Sequence, residues 1–380
     1  MLYLNIFTNY YSWIKFRLQY CYGINIGQFI SWAAIALLFN LEYYFMVKKK
    51  CAVILHFLFL FSSGKMLSQP IFTSPDNDQI IDCFSISNRD IILTEHTIFI
   101  TNKGIIRHSH RISERIIDGI MTNSKFWFCT ESGLYKSNIK KDKLIDIQKI
   151  NFPLSDYSSV KLKTELSIHE NVWVFTRDEG IYKSVGDSVF SLLLKANMLN
   201  DLFVVSGDDY WMATDAGLLH KVGGNIFKYS EEGVAGFEVP DNIVDNLYGD
   251  VDHLMAKMSS TISLLKLEGE NTESHGKTIS YIGEKGNSIY HACFLSNGSV
   301  LFATQMGLIC LSKDSFTHEA EDDIFHEVFQ ASENSAARLL NSSILPSKSI
   351  RIYKIRQLTR NKLHLIGEKT IYRMPLNKLL

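Results

Sequence analysis

The residue types that perform chemistry are scattered through this sequence, and few of their spacings match a known kind of site. His108-Ser109-His110 places two imidazoles on one face of a predicted strand, a spacing that metals can use, but no third ligand follows nearby. The acidic run 319–323 lacks the alternating oxygen ligands and the glycine of a calcium loop. Gly276-Lys277-Thr278 resembles the end of a phosphate-binding loop, but Asn271 stands where the first glycine belongs. We therefore predict no metal site and no cofactor.

Motifs for nucleophilic and metal-dependent catalysis are also absent from the sequence. Neither Gly-x-Ser-x-Gly, nor His-Glu-x-x-His, nor a paired Cys-x-x-Cys occurs. Beyond residue 70, the four cysteines lie in apolar, strand-like runs and are predicted to be small buried side chains: Cys83, Cys129, Cys293 and Cys310. The sequence predicts a protein that is not an enzyme.

An internal repeat is the clearest feature of the chain. Each copy has an aromatic or apolar strand, a threonine, two or three turn residues, a glycine and a second apolar strand. The clear copies are Trp127 to Lys136, Trp173 to Lys183, Trp211 to Lys221 and Leu301 to Leu311, and weaker copies surround Thr94, Lys257 and Gly367. Seven copies in the 310 residues from 71 to 380 give about 44 residues each, which is the period of a four-stranded propeller blade. We predict an all-β fold, a single seven-bladed β-propeller.

The pattern within a repeat predicts the position of each strand in its blade. Trp127, Trp173 and Trp211 are in phase, and such bulky side chains suit packing between neighbouring blades. The apolar strand before each copy is predicted to be innermost, and the strand after the glycine-led strand is predicted to be outermost. The interval between the sixth and seventh copies is too long, and its surplus at about 319–340 has helical spacing, so we predict a helical insertion there.

The first 70 residues differ from the rest of the chain. Met46-Val47-Lys48-Lys49-Lys50 precedes a short apolar run, 51–61, and then small residues, which together are typical of a secretory signal. We predict a signal peptide at 46–70, a propeller at 71–380, and an over-extended start at 1–45. The alternative is a membrane segment around 24–45 with the lysine triplet on its cytoplasmic side.

The charge of the chain changes when the leader is set aside. Residues 1–70 hold six of the 39 basic residues and one of the 40 acidic residues, so 71–380 carries 33 basic and 39 acidic side chains, a net charge of −6. An acidic propeller has no bulk positive charge with which to bind nucleic acid, so we predict no nucleic-acid partner.

The order of an asparagine before an apolar strand, an Asp/Gly turn, Trp-x-x-Thr and Gly-Leu/Ile-Tyr-Lys resembles the two-component regulator propeller repeat. That repeat builds the extracytoplasmic sensor part of hybrid histidine kinases, and the resemblance covers about 71–380. It implies a periplasmic or extracellular sensor, anchored in a membrane if the N-terminal segment is retained, with another propeller or a sensor kinase as its partner. No kinase, receiver or DNA-binding motif occurs in the sequence, so we expect the sensor part without its kinase output.

By resemblance to other propellers, a ligand would lie over the central channel. The face concerned is built by the turns between second and third strands and by the connections between blades. The candidate ligand-binding residues are Arg177, Asp178, Asp215 and Gln305 in the turns, and Tyr157, Asn200, Asn242 and Asn287 in the connections. Mixed acidic, amide and aromatic groups suit a polar small molecule or an oligosaccharide. The alternative is that these residues are polar because turns are solvated and asparagines stabilise them.

We therefore expect a noncatalytic, ligand-sensing propeller. One alternative is an exported scaffold that binds other proteins. Another is a propeller glycosidase or lyase, which would need acidic side chains converging around the channel mouth. Fold analogy alone does not choose among the three functions.

Overall fold

The computed structural model describes residues 68–376 except 124, 167–169, 187, 234–238, 260, 268–276, 280–281, 283–285, 313–324, 327–336, 340–349 and 360–361. Its 29 strands form seven sheets, and each sheet is a blade of the predicted propeller. The all-β, seven-bladed fold expected from the repeat is confirmed.

The first four blades are antiparallel sheets in which strand order follows chain order. Blade 1 contains β2 (Ile80–Ile86), β3 (Arg89–Thr94), β4 (Thr97–Asn102) and β5 (Ile105–Arg111). Blade 2 contains β6 (Ile116–Met121), β7 (Phe126–Thr130), β8 (Gly133–Lys140) and β9 (Lys143–Ile150). Blade 3 contains β10 (Lys161–Thr164), β11 (Val172–Thr176), β12 (Gly180–Ser184) and β13 (Phe190–Leu194). Blade 4 contains β14 (Leu199–Ser206), β15 (Asp209–Thr214), β16 (Gly217–Val222) and β17 (Asn225–Tyr229).

The last three blades vary this plan. Blade 5 contains β18 (Asn246–Gly249), β19 (His253–Met258), β20 (Thr261–Lys266) and β21 (Lys277–Ile279), with β25 (Phe325–His326) parallel to β21. Blade 6 contains β22 (Ile289–Phe294), β23 (Val300–Thr304), β24 (Gly307–Leu311) and β26 (Ala337–Leu339). Blade 7 contains β27 (Ile352–Thr359), β28 (Lys362–Gly367) and β29 (Thr370–Pro375), and its outermost strand is β1 (Gln69–Thr73) from the other end of the chain.

The strand β1 closes the ring. It pairs antiparallel with β29, from Gln69 opposite Arg373 to Thr73 opposite Thr370. The first strand of every blade contacts the first strand of the next blade, and β27 contacts β2, so these seven strands line a central channel. The innermost position predicted for them is confirmed.

The threonine and the glycine of the repeat have a structural role in the turn between second and third strands. Thr214 Oγ1 donates to the carbonyl of Gly217 over 2.7 Å, and Thr304 Oγ1 donates to that of Gly307 over 2.8 Å. Gly217 and Gly307 have φ values of 119° and 124°, which L-residues rarely adopt. A Cβ on Gly217 would also collide with the carbonyl oxygen of Tyr229 on the outer strand. The repeat therefore preserves a tight turn.

The tryptophans of the repeat pack between blades, as predicted. Trp127 lies in a core layer with Leu162 and Val174 of blade 3. Trp173 lies in a layer with residues of blade 4, and Trp211 in a layer with residues of blade 5. Each pair of neighbouring blades is thus held by buried apolar side chains. Cys83 and Cys129 are buried in layers between blades, as predicted, whereas Cys293 and Cys310 are only partly buried. None of the four forms a disulfide.

Two predicted segments fall largely outside the described residues. Most of the predicted helical insertion at 319–340 is one of them, and its described parts, Phe325–His326 and Ala337–Leu339, are strands rather than helix. The leader at 1–67 is the other. In the described part of the chain, no helix is long and apolar enough to span a membrane. The predicted boundary at residue 71 falls inside β1.

Candidate functional site

The two ends of the channel are built from different connections. Turns between first and second strands and between third and fourth strands form one end, which we call the lower face. Turns between second and third strands meet the blade-to-blade connections at the other end, the upper face. Backbone hydrogen bonds join the two sets there, as from Glu95 N to the carbonyl of Gln79 over 3.1 Å and from Asp215 N to that of Met198 over 3.2 Å. The upper face is therefore built from the same turns and connections that the sequence analysis assigned to the ligand-binding face.

A cavity of about 320 Å³ opens at the channel mouth on the upper face, where blades 7, 1 and 2 meet. Its polar lining residues are Gln79, Glu95, Arg115, Ser158, Tyr353 and Lys354, and its apolar lining consists of isoleucines. Arg115 Nε lies 3.4 Å from Glu95 Oε1 on the wall. The cavity thus offers cationic and hydroxyl donors beside one carboxylate, over an apolar surface.

An ion cluster centred on the buried side chain of Asp82 lies beneath this cavity. Lys354 Nζ is 2.5 Å from Asp82 Oδ2, and Arg356 donates to both oxygens of Asp82, with its Nε 3.0 Å from Oδ1. Burial by itself raises the pKa of Asp82, but Arg356 and Lys354 outweigh it and hold that pKa well below its ordinary value. Asp82 is therefore charged at neutral pH and stays paired with Lys354 and Arg356 at the floor of the cavity.

The position of Asp82 recurs around the channel. Five innermost strands have a register shift after their first residue. The first residue paired again after the shift is Asp82, Asp118, Asp201, His291 or Lys354. Asp118 Oδ2 accepts a hydrogen bond from Leu162 N of blade 3 over 2.9 Å, and Asp201 Oδ2 accepts one from Leu247 N of blade 5 over 3.0 Å. Asp118 thus ties blade 2 to blade 3, and Asp201 ties blade 4 to blade 5. Sequence analysis missed them, although Ile80-Ile81-Asp82, Ile116-Ile117-Asp118 and Leu199-Asn200-Asp201 carry the signal.

The pKa values of the remaining titratable groups in the channel are shifted in different directions. Burial raises the pKa of Asp118, which has no cation within ion-pair distance among the described residues. Burial also raises the pKa of Asp201, but Lys163 at 2.8 Å and Lys161 outweigh it, so that pKa is lowered. Burial, Lys354 and Arg356 lower the pKa of His291, which is therefore neutral at pH 7.

Three of the predicted site residues form one network on the upper face between blades 3 and 4. Asn200 Nδ2 donates to Asp215 Oδ1 over 2.7 Å and to the carbonyl of Val244 over 2.9 Å. Arg177 donates to both Asn200 and Asp215. These groups bind one another across the blade boundary while Arg177 stays exposed.

The other predicted residues are dispersed over the structure. Tyr157 is buried and donates to the carbonyl of Phe152 over 3.0 Å. Asn287 is buried, donates to the carbonyl of Ile282 over 2.6 Å and accepts from Met306 N over 3.1 Å. Asn242 accepts from Glu231 N over 3.0 Å, whereas Asp178 and Gln305 are exposed. None of the eight predicted residues lines the channel-mouth cavity.

The chemistry available at the cavity is hydrogen bonding and charge pairing. Glu95 is the one carboxylate in its described lining, and Asp82 beneath it is already bound to two cations. Glycosidases in general use a pair of carboxyl groups on either side of the bond they cleave.

No family model and no curated protein matches the sequence. Among solved structures, the extracellular domain of the hybrid two component system BT4673 from B. thetaiotaomicron is similar to 81% of this chain, with a TM-score of 0.56 and 12% identity. YCF48 from Cyanidioschyzon merolae is similar to 79% of this chain, with a TM-score of 0.55 and 11% identity. YCF48 bound to D1 peptide gives a TM-score of 0.53 and 13% identity, also over 79% of the chain.

The lengths of these relatives differ. The matched region is 39% of the BT4673 chain, so this chain spans about two fifths of that domain. It is 95% and 93% of the two YCF48 chains. At such identities the likeness shows the fold alone, and the class it defines is the seven-bladed β-propeller.

Proposed function

We propose that this chain is an extracytoplasmic, noncatalytic propeller that senses a polar ligand at its channel mouth. The observation that carries the proposal is the cavity on the upper face, where Arg115, Ser158 and Lys354 offer donors beside Tyr353. The repeat's resemblance to regulator propellers and the similarity to an extracellular sensor domain support a periplasmic or extracellular location.

The cavity fits an oligosaccharide or another polar small molecule. Its donors allow directional hydrogen bonds, and the tyrosine and isoleucines offer apolar surface for a sugar ring. Ligand bound there would touch blades 7, 1 and 2 together. Binding would thereby change how the upper face meets another propeller or a sensor kinase.

The test is calorimetric binding of a panel of soluble oligosaccharides, with two arginine variants compared. For any sugar that binds, Arg115→Ala should weaken affinity by about tenfold, the value of one hydrogen bond to a charged group. Arg177→Ala, an exposed arginine on the same face but outside the cavity, should leave affinity unchanged. The opposite pattern would move the site to the Arg177 network, and no binding across the panel would contradict the carbohydrate class.

A second candidate function is a scaffold that binds other proteins. The observation in its favour is the match over almost the full length of YCF48, one structure of which holds a D1 peptide. A stoichiometric protein complex on the chain purified from its native source, together with no sugar binding, would favour this function.

A further inference from the structure

Exposed apolar and cationic side chains are combined on one part of the lower face. The hairpin of β4 and β5 exposes Lys103 in its turn and Ile105, Ile106 and Arg107 at the start of β5, and the two isoleucines are 56% and 43% exposed. The equivalent hairpin of blade 2 exposes Lys140 at the end of β8, Lys141 in the turn and Lys143 at the start of β9. We call these seven residues the basic rim. Both turns join third to fourth strands, so the topology places them at the same end of neighbouring blades.

The basic rim opposes the charge of the molecule as a whole. It holds five cations, and the one acid in its two turns, Asp142, is already paired with Arg89. Residues 71–380, with 33 basic and 39 acidic side chains, carry −6. A local positive field on an acidic protein attracts a negatively charged surface to that side alone.

The chain enters the propeller beside the basic rim. Thr73 lies opposite Thr370, the residue that follows an upper-face turn, so β1 runs from the lower face at Gln69 toward the upper face. The turn at Gly104 packs directly on β1, because a Cβ there would lie 2.9 Å from the carbonyl oxygen of Ile71. Residues 1–67, with the apolar runs 29–39 and 51–61 and three consecutive lysines, precede β1 in the sequence.

We propose that the basic rim docks on a membrane surface that carries anionic headgroups. Ile105 and Ile106 would enter the interface while the flanking lysines and arginine bind the headgroups, the combination by which peripheral proteins hold to acidic bilayers. If the apolar leader is retained rather than cleaved, it would bring that membrane within reach of the same face. The docked propeller would turn its upper face, with the channel-mouth cavity, away from the bilayer.

The experiment uses residues 66–380, which form a compact unit with a ring closed by β1. Co-sedimentation is measured with phosphatidylcholine vesicles and with vesicles that contain about one third phosphatidylglycerol. Binding should need the anionic lipid and weaken at about 0.5 M salt, where charges are screened within a few ångströms. The double variant Lys103→Glu/Arg107→Glu should lose about tenfold or more in partitioning, since each cation contributes about 1 kcal/mol near such a surface.

Matched variants elsewhere separate a specific rim from general charge. Lys195→Glu/Lys228→Glu alters two exposed lysines on blades 3 and 4, and Leu192→Ser/Leu193→Ser alters two exposed leucines; neither should change binding. Ile105→Ser/Ile106→Ser should weaken it. Equal loss in rim and control variants would overturn the proposal, as would no binding to anionic vesicles. Binding of soluble polyglutamate in place of vesicles would also overturn it and would indicate an acidic protein partner.

Discussion

Asp82 is the residue on which the channel floor depends. Its carboxylate is fully buried and pairs with both Lys354 and Arg356. Asp82→Asn leaves those two cations facing each other without an anion, so the free energy of unfolding should fall by about 3 kcal/mol in a urea titration. Asp146→Asn, at an exposed position on β9, should change it by less than about 0.5 kcal/mol. Equal stability of the two variants would contradict the role assigned to Asp82.

His364 makes the junction of blades 7 and 1 sensitive to acid. It is fully buried, with Nδ1 3.2 Å from Cys83 Sγ, and Arg373 Nε donates to its Nε2 over 3.3 Å. Burial lowers the pKa of His364 to about 4; Arg373 adds to this effect and Asp90 opposes it. Below pH 6.5 the unfolded chain therefore takes up a proton that the folded protein does not.

The sign of the pH effect follows from that difference. The contribution of His364 to stability is complete above pH 6.5 and is lost as pH falls to about 4, by roughly 3 kcal/mol in all. Urea titrations at several pH values should show this decline, and His364→Gln should flatten it within that window. A variant with the same pH dependence as the wild-type protein would disprove the assignment.

At the scale of elements, the glycine that starts the third strand of blades 3, 4 and 6 is required by the turn before it. Gly217→Ala should destabilise the protein by about 2 kcal/mol, because it adds a collision with the Tyr229 carbonyl to a strained φ. Gly224→Ala is the control, since a Cβ there meets nothing within 4 Å. Thermal unfolding should place Gly217→Ala well below both the control and the wild-type protein, and coincident transitions would contradict the requirement.

The strand β1 also limits where the predicted signal can be removed. Because the blade 7 sheet includes Gln69, a cut inside 70–73 would divide the closing strand. In a host that exports and processes the chain, N-terminal sequencing should find the mature protein beginning at or before Gln69. A mature start at Phe72 or Thr73 would show that the ring can close without a complete β1.

For the whole molecule, features that recur in the repeat could be predicted from the sequence. Contacts that form only when the blades close into a ring could not. The tryptophan and the glycine of the repeat, as at Trp211 and Gly217, recur in several copies, so the fold and the packing between blades were predicted from them. The cavity combines Gln79, Arg115 and Lys354, which lie far apart in the chain. Gln79 and Arg115 each directly precede an innermost strand, but the residue type at that position does not repeat, so no sequence pattern marked it. Ring closure by β1 was missed for the same reason, because an isolated strand at one end of the chain has no period.

Tryptophans in blades 2 to 4 can report whether closure of the ring by β1 stabilises the whole propeller. Phe72 of β1 is buried, with its ring centroid 5.2 Å from that of Phe99, so Phe72→Ala should reduce stability by about 3 kcal/mol while exposed Thr73→Ala changes it little. In residues 66–380 the tryptophans are Trp127, Trp173 and Trp211, all in blades 2 to 4. If the seven blades unfold as one cooperative unit, tryptophan fluorescence should report the full loss caused by Phe72→Ala. A tryptophan transition that does not move, beside a circular dichroism transition that does, would show that blades 2 to 4 unfold independently of the closure.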